Sequence, residues 1–179
     1  CGIYAMKPSF GRVSLEGVKH YAPSLDTVTW FARSASDLVL AAQAIGAVAE
    51  VPRAPAIRAL RIGLCETPLW KEATPEAQAV LHAAGTALKA AGAVVRRVTL
   101  PPAFARVNEQ HNVLMEGEGG IGFKALAAAR GALLADDFKA QAANRKGFTA
   151  AQLRAAHDYF AARRIEFETL FGRIDALLM

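Results

Sequence analysis

Cysteine is scarce in this 179-residue chain, which has only Cys1 and Cys65. There is no Cys-x-x-Cys pair and no Cys/His spacing of the zinc type, so the sequence offers no metal site. A reduced, cytoplasmic protein is expected. Long apolar runs are also missing: no stretch reaches the roughly 18 residues a membrane span requires, and no membrane partner is expected. Blocks of one charge sign are absent too. The net charge is +5, but the densest basic groups, residues 53–61, Arg96-Arg97 and Arg163-Arg164, are scattered. No nucleic-acid partner is therefore expected. No signal peptide is legible. The chain opens on Cys1 rather than Met, so its natural start is expected elsewhere.

What is present is a globular composition. Hydrophobic residues make up 53% of the chain, enough for a packed core, and the length suits one domain. Residues 3–6 are apolar and read as a short buried strand, and residues 8–23 as loop with at most a short strand at 12–15. Ser34-Ala35-Ser36-Asp37 has the form of a helix cap. The apolar run behind it predicts a helix to Ile45, buried on most sides and stopped by Gly46. Residues 51–59 form an exposed, mobile connector. The clearest unit follows. Residues 60–65 read as a strand, and Thr74-Pro75 as a helix start. Ala77, Val80, Leu81, Ala84 and Leu88 recur at helical spacing, with Gly92 as the stop. Residues 94–100 read as a second strand. Strand, helix and strand at this length predict a right-handed βαβ crossover with parallel strands. Beyond Phe104 the reading is helical: residues 104–115, 123–134 and 136–144, then a long helix from the Thr149 cap to about Phe171. "DALLM" at the end reads as the start of a further buried strand, and both ends of the chain look cut.

Several groups are candidates for chemistry. "GEGGIG" at residues 117–122 matches a dinucleotide-type glycine pattern, but helix precedes it and Glu116 and Glu118 would repel phosphate. A loop between two helices is the better reading, and no cofactor is expected. Glu116 and Glu118 either line a pocket from that loop or are simply solvated. The four histidines, His20, His82, His111 and His157, lie far apart without metal spacing. No serine occupies a Gly-x-Ser-x-Gly elbow. Cys65 reads as a buried small hydrophobe. Trp30 and Phe31, read as loop aromatics, either pack that loop down or line a binding cleft.

The most specific segment is "CGIYAMKPSFGRVSLEGVKHYAPSLDTVTWFARSASDLVLAAQAI". It resembles the region just downstream of the nucleophile in the amidase signature family: Cys-Gly, a short strand, Lys-Pro-Ser-x-Gly-Arg-Val-Ser, then Pro-Ser-Leu-Asp-Thr and Ala-Arg before a helix. Lys7, Pro8, Ser9, Gly11, Arg12, Val13, Ser14, Pro23, Ser24, Leu25, Asp26, Thr27, Val28, Ala32 and Arg33 fall in register. Thr29 departs, since Gly is usual there. "RIGLC", "GAVVRRVTLP" and "DALLM" follow the family's order more loosely.

The resemblance implies an α/β fold: part of a large mixed sheet with helices on both faces, here a small mixed or parallel sheet with a βαβ unit and many helices. Residues 1–179 are then one piece of a larger domain, with 1–50 the post-nucleophile segment and its helix, and 60–179 the βαβ unit and helical part. It implies amide hydrolysis by a Ser–cis-Ser–Lys triad lying upstream of Cys1, so no catalytic residue falls in this chain. Lys7, Ser9 and Ser24 are not triad members. Asp26 can accept amide hydrogen bonds within its own turn or hold the nucleophile turn from behind, and the resemblance favours the second role. Trp30 and Glu116 are pocket candidates for a small-molecule amide. "SLDTVTWFAR" looks closer to stand-alone amidases than to the transamidation enzymes. The other function class is a catalytically inactive binding or scaffold module. An exposed edge of the fragment would favour a homo-oligomer.

Overall fold

The computed structural model describes residues 2–51 and 53–179. The chain forms two compact units, Cys1–Arg53 with His111–Arg154, and Ala54–Gln110 with Ala155–Met179.

In the first unit, strands β1 (Tyr4–Met6) and β2 (Trp30–Ala32) pair antiparallel, with Ala5 opposite Phe31. Trp30 and Phe31 are thus strand residues rather than loop residues, as suits their aromatic β-propensity. β1 forms where expected but is exposed throughout, because a two-stranded ribbon covers little on its own. No strand forms at residues 12–15: the chain bends at 12–13 and is irregular at 14–15. Helix α1 (Ala35–Ala44) is capped by Ser34, whose hydroxyl accepts from the Asp37 amide at 3.1 Å. The left-handed Gly46 (φ 70°) follows it. Its expected burial on most sides is corrected: Leu38 and Ala42, one turn apart, are buried, while Leu40 is 66% exposed. α1 packs against the ribbon, so one stripe suffices.

The second unit holds the βαβ element. β3 (Arg61–Cys65) lies between β4 (Val94–Val98) and β5 (Ala176–Leu178), parallel to both. Ile62 stands opposite Val95 and Ala176. Helix α2 (Pro75–Ala90) connects β3 to β4. Thr74 caps it and Pro75 opens it, where a missing amide hydrogen costs nothing. The left-handed Gly92 ends it. Its buried face is narrower than the periodicity predicts, since Leu81 and Gly85 are buried but Val80 is 68% exposed. Asp175, just before β5, accepts from the Arg61 amide at 2.7 Å and the Arg61 guanidinium at 2.6 Å, fixing the β3–β5 register. The Asp175 amide returns a bond to the Arg61 carbonyl at 2.7 Å.

The largest departure concerns the glycine-rich segment. Residues 117–122 are not a loop. They lie inside one helix, α3 (Val107–Arg130). Glycine disfavours helix interiors by about 1 kcal/mol each, so tertiary packing must outweigh propensity here. A Cβ on Gly119 would lie 2.3 Å from Gln141 Nε2, one on Gly120 2.6 Å from the Gln141 carbonyl oxygen, and one on Gly117 2.6 Å from Leu153 Cδ1. The glycines form a smooth face that lets helix α4 (Asp136–Ala142) and the start of α5 (Ala150–Leu170) approach closely.

Candidate functional site

The loop at residues 7–27 meets α3 within the first unit, and its polar groups converge there. Asp26 closes its own turn. Its carboxylate accepts from the Tyr21 amide at 2.8 Å and the Ala22 amide at 3.2 Å. His20 Nδ1 lies 3.3 Å from Asp26 Oδ2, within ion-pair range but off the hydrogen-bond direction. Two residues before Asp26, Ser24 is held from α3. Its amide donates to Glu118 Oε2 at 2.9 Å and its hydroxyl to Glu118 Oε1 at 2.6 Å. One carboxylate thus satisfies both donors of a single loop residue, a charge-assisted pair of the stronger kind. Lys19 Nζ donates to the Gly122 carbonyl at 3.1 Å and lies over the Phe123 ring. Arg12 donates to the Ala47 carbonyl at 2.7 Å, fixing the loop to the end of α1.

A second layer of contacts holds the glycine face. Tyr21 donates its hydroxyl to Gln141 Oε1 at 2.8 Å, and Gln141 Nε2 donates to the Met115 carbonyl at 3.1 Å. Gln141 is buried, and these bonds satisfy its amide, as a buried polar group requires. Beside it lies a cleft of about 510 Å³ bounded by Tyr21, Glu116, Gln141, Arg145, Lys146 and Phe148. Glu116 faces this cleft and pairs with Lys146 Nζ at 2.7 Å. Asn144, also on its wall, has φ of 49°. Its side chain accepts from the Phe148 amide at 3.0 Å and donates to the Phe148 carbonyl at 2.9 Å, holding that left-handed turn.

The predicted residues therefore separate. Asp26 lies at the loop turn and Glu116 on the cleft wall. Trp30 lies away from that cleft: its indole N–H donates to the Leu38 carbonyl at 3.0 Å, tying β2 to α1. Thr29 shows no positive φ, so the glycine usual at that position is not required by the backbone here. Residue-by-residue reading passed over Tyr21, Gln141 and the Glu118–Ser24 bond. The available signal was Glu118 itself, an acid among glycines in a segment read as loop. Once that segment is helical, Glu116 and Glu118 point in different directions and take different partners.

A smaller cluster lies in the second unit. Glu66, just after β3, accepts from His82 Nε2 at 3.2 Å and from Arg97. Burial alone would raise the Glu66 carboxyl, but the hydrogen bonds from His82 and Arg97 outweigh it and hold it below the usual range. Cys65 is a free buried thiol, and burial pushes it up, away from the reactive thiolate. No group of three or more metal-ligating side chains occurs among the described residues. Among the same residues no helix is long and apolar enough to cross a membrane.

A three-stranded parallel sheet with its crossover helix, and a loop-rich unit built on a long helix, define an α/β protein. Its polar groups converge on the loop that carries Lys-Pro-Ser and Pro-Ser-Leu-Asp-Thr. The family described as Amidase matches residues 1–179, and the chain belongs to that family. A glutamyl-tRNA(Gln) amidotransferase subunit of Deinococcus radiodurans is 40% identical over 114 residues, covering 56% of this chain and 23% of that protein. The same-named subunit of Methylococcus capsulatus is 35% identical over 115 residues, 56% of this chain and 24% of that one. Among solved structures, a crystal structure of an amidase superposes with a TM-score of 0.84 at 24% identity, covering 99% of this chain and 40% of that one. A peptide amidase solved with the competitive inhibitor chymostatin gives a TM-score of 0.50 at 27% identity, covering 86% of this chain and 36% of that one. The match to the first structure establishes the fold. This chain spans well under half the length of the relatives it matches.

Proposed function

We propose that the whole protein hydrolyses the C–N bond of a small-molecule carboxamide, and that this chain is the part of its amidase domain lying downstream of a Ser–cis-Ser–Lys triad. The single observation that carries this reading is the family match along all 179 residues. In such a reaction the nucleophilic serine attacks the amide carbon, the bridging serine passes a proton to the leaving amine and the lysine acts as base. The present residues supply support. Asp26 and Glu118 hold the loop that follows the nucleophile, and Glu116 borders a polar cleft. Residues 1–179 form one continuous piece of a larger domain that works in the cytoplasm, without nucleic acid or membrane as partner. The exposed edges of β4 and β5 support self-association of the isolated chain.

A second reading, glutamine-dependent transamidation, is favoured by the names of the curated relatives. The third, an inactive binding or scaffold module, corresponds to an absent triad.

The test is ammonia release by the full-length protein from a panel of aliphatic and aromatic carboxamides. Release that disappears on mutating the upstream nucleophilic serine supports the proposal. Dependence on added tRNA and partner proteins supports transamidation, and no turnover on any amide supports the module. The 179-residue chain alone is expected to release none. Turnover by that chain that survives repurification and vanishes on mutating one of its own serines would overturn the placement of the triad.

A further inference from the structure

In the loop that carries the Pro-Ser-Leu-Asp-Thr string, every backbone N–H from Tyr21 to Asp26 has an acceptor, Pro23 having none to offer. The Leu25 and Asp26 amides donate to the Ala22 carbonyl at 2.8 and 2.9 Å. The Tyr21 and Ala22 amides donate to the Asp26 carboxylate at 2.8 and 3.2 Å. The Ser24 amide differs, because its acceptor lies outside the loop: Glu118 Oε2 on α3, at 2.9 Å. The same carboxylate takes the Ser24 hydroxyl through Oε1 at 2.6 Å. Asp26 therefore fixes the turn from within, and Glu118 fixes its tip from α3. The neighbouring Gly119 leaves room for this approach, since a Cβ there would come within 3.3 Å of Tyr21 Cε1.

A loop bonded so fully has given up its backbone freedom. It has not done so to build a core, for Ser24, Leu25, Asp26 and Thr27 are all only half-buried. Rigidity without burial is the arrangement that functional groups carried on loops require. We propose that Glu118 is a positioning residue for amide turnover, acting through Ser24 to hold the Pro-Ser-Leu-Asp-Thr loop in its working conformation. This role rests on the reading of the whole protein as an amide hydrolase. It is geometric: the carboxylate accepts from two loop donors, and no proton transfer is assigned to it.

The test uses the full-length protein and whichever aliphatic or aromatic carboxamide it turns over fastest, with kcat, KM and the denaturation midpoint measured for each variant. Glu118→Ala is expected to lower kcat about ten- to a hundredfold, the range of a lost hydrogen bond to a charged group that is felt in the transition state, with KM changed less than about twofold. Glu118→Gln keeps a carbonyl acceptor for one donor and should recover part of that loss. Ser24→Ala removes only the hydroxyl bond and should lose less than Glu118→Ala. The double variant should match Glu118→Ala, because both changes break one contact. Ser34→Ala, which uncaps α1, is the stability control: it should lower the midpoint and leave kcat unchanged. If Glu118→Ala does not fold, Glu118→Gln and Ser24→Ala decide the matter, and folded proteins of both with unchanged kcat overturn the proposal. Additive losses in the double variant, or a loss that appears in KM alone, overturn it as well. Any of these results from a protein that turns over amides removes only the role of Glu118. No turnover of any amide by the unsubstituted protein overturns the hydrolase reading and this role together.

Discussion

Each of the two units is held together internally in its own way. The first is fastened by polar groups over a glycine face: Glu118 on Ser24, Asp26 on its own turn, and Gln141 between Tyr21 and α3. The second is a parallel sheet whose centre, Ile62 and Cys65, is apolar and buried, with one carboxylate–arginine clamp at the strand entry. Close backbone approach in the first unit makes its stability depend on what a side chain must not be. Apolar burial in the second makes it depend on what a side chain is.

The largest effect is expected where that contrast is sharpest. Gly120→Ala should destabilise the protein by about 1–3 kcal/mol, because the new methyl meets the Gln141 backbone carbonyl, which cannot give way. Gly122→Ala is the sign-reversed control. No atom lies closer than 3.8 Å to its added Cβ, so helix propensity should stabilise it by up to about 1 kcal/mol. Chemical denaturation measures both. If the two substitutions behave alike, close packing is not what keeps α3 helical through its glycines.

Glu118→Ala should cost about 1.5–3 kcal/mol, since it strands both Ser24 donors. It should also loosen the residue 22–27 loop in hydrogen exchange, which a purely helical effect would not do. Asp26→Asn in the full-length protein should lower any amide turnover per folded molecule by about ten- to a hundredfold if its charge reaches the reacting groups. Unchanged turnover with equal destabilisation of full-length protein and fragment would make it a turn residue only.

The smallest effects are local. Ser34→Ala should cost about 1 kcal/mol through the lost cap of α1. In the second unit, hydrogen bonds from the Arg61 side chain and amide hold the Asp175 carboxyl below the usual range. A carboxyl depressed on folding contributes stability above its unfolded pKa, and that contribution is lost as pH falls through the folded value. Stability should therefore decline on acidification below the ordinary carboxylate range. Asp175→Asn should flatten that decline, read from denaturation midpoints across an acid series.

The βαβ unit was legible because its signals are local. Thr74, Pro75 and Gly92 mark the ends of α2, and the strands on either side are short apolar runs whose connection length requires parallel pairing. The helix cap at Ser34 was legible for the same reason. The family likeness rested on ordered motif residues in the first 45 positions and needed no structure. The glycine segment was misread because propensity is a weak prior that packing overrides, and the atoms that override it belong to Gln141 and Leu153, more than twenty residues away.

Sequence alone determined the strand–helix–strand order, the helix caps, and the motif loop that marks the amidase family, since each depends on neighbours along the chain. Only the tertiary structure decided that α3 runs unbroken through its glycines and that Glu118 rather than Glu116 holds the loop. Those outcomes depend on contacts between residues distant in sequence, where a single carbonyl or methyl within van der Waals reach fixes which conformation is possible.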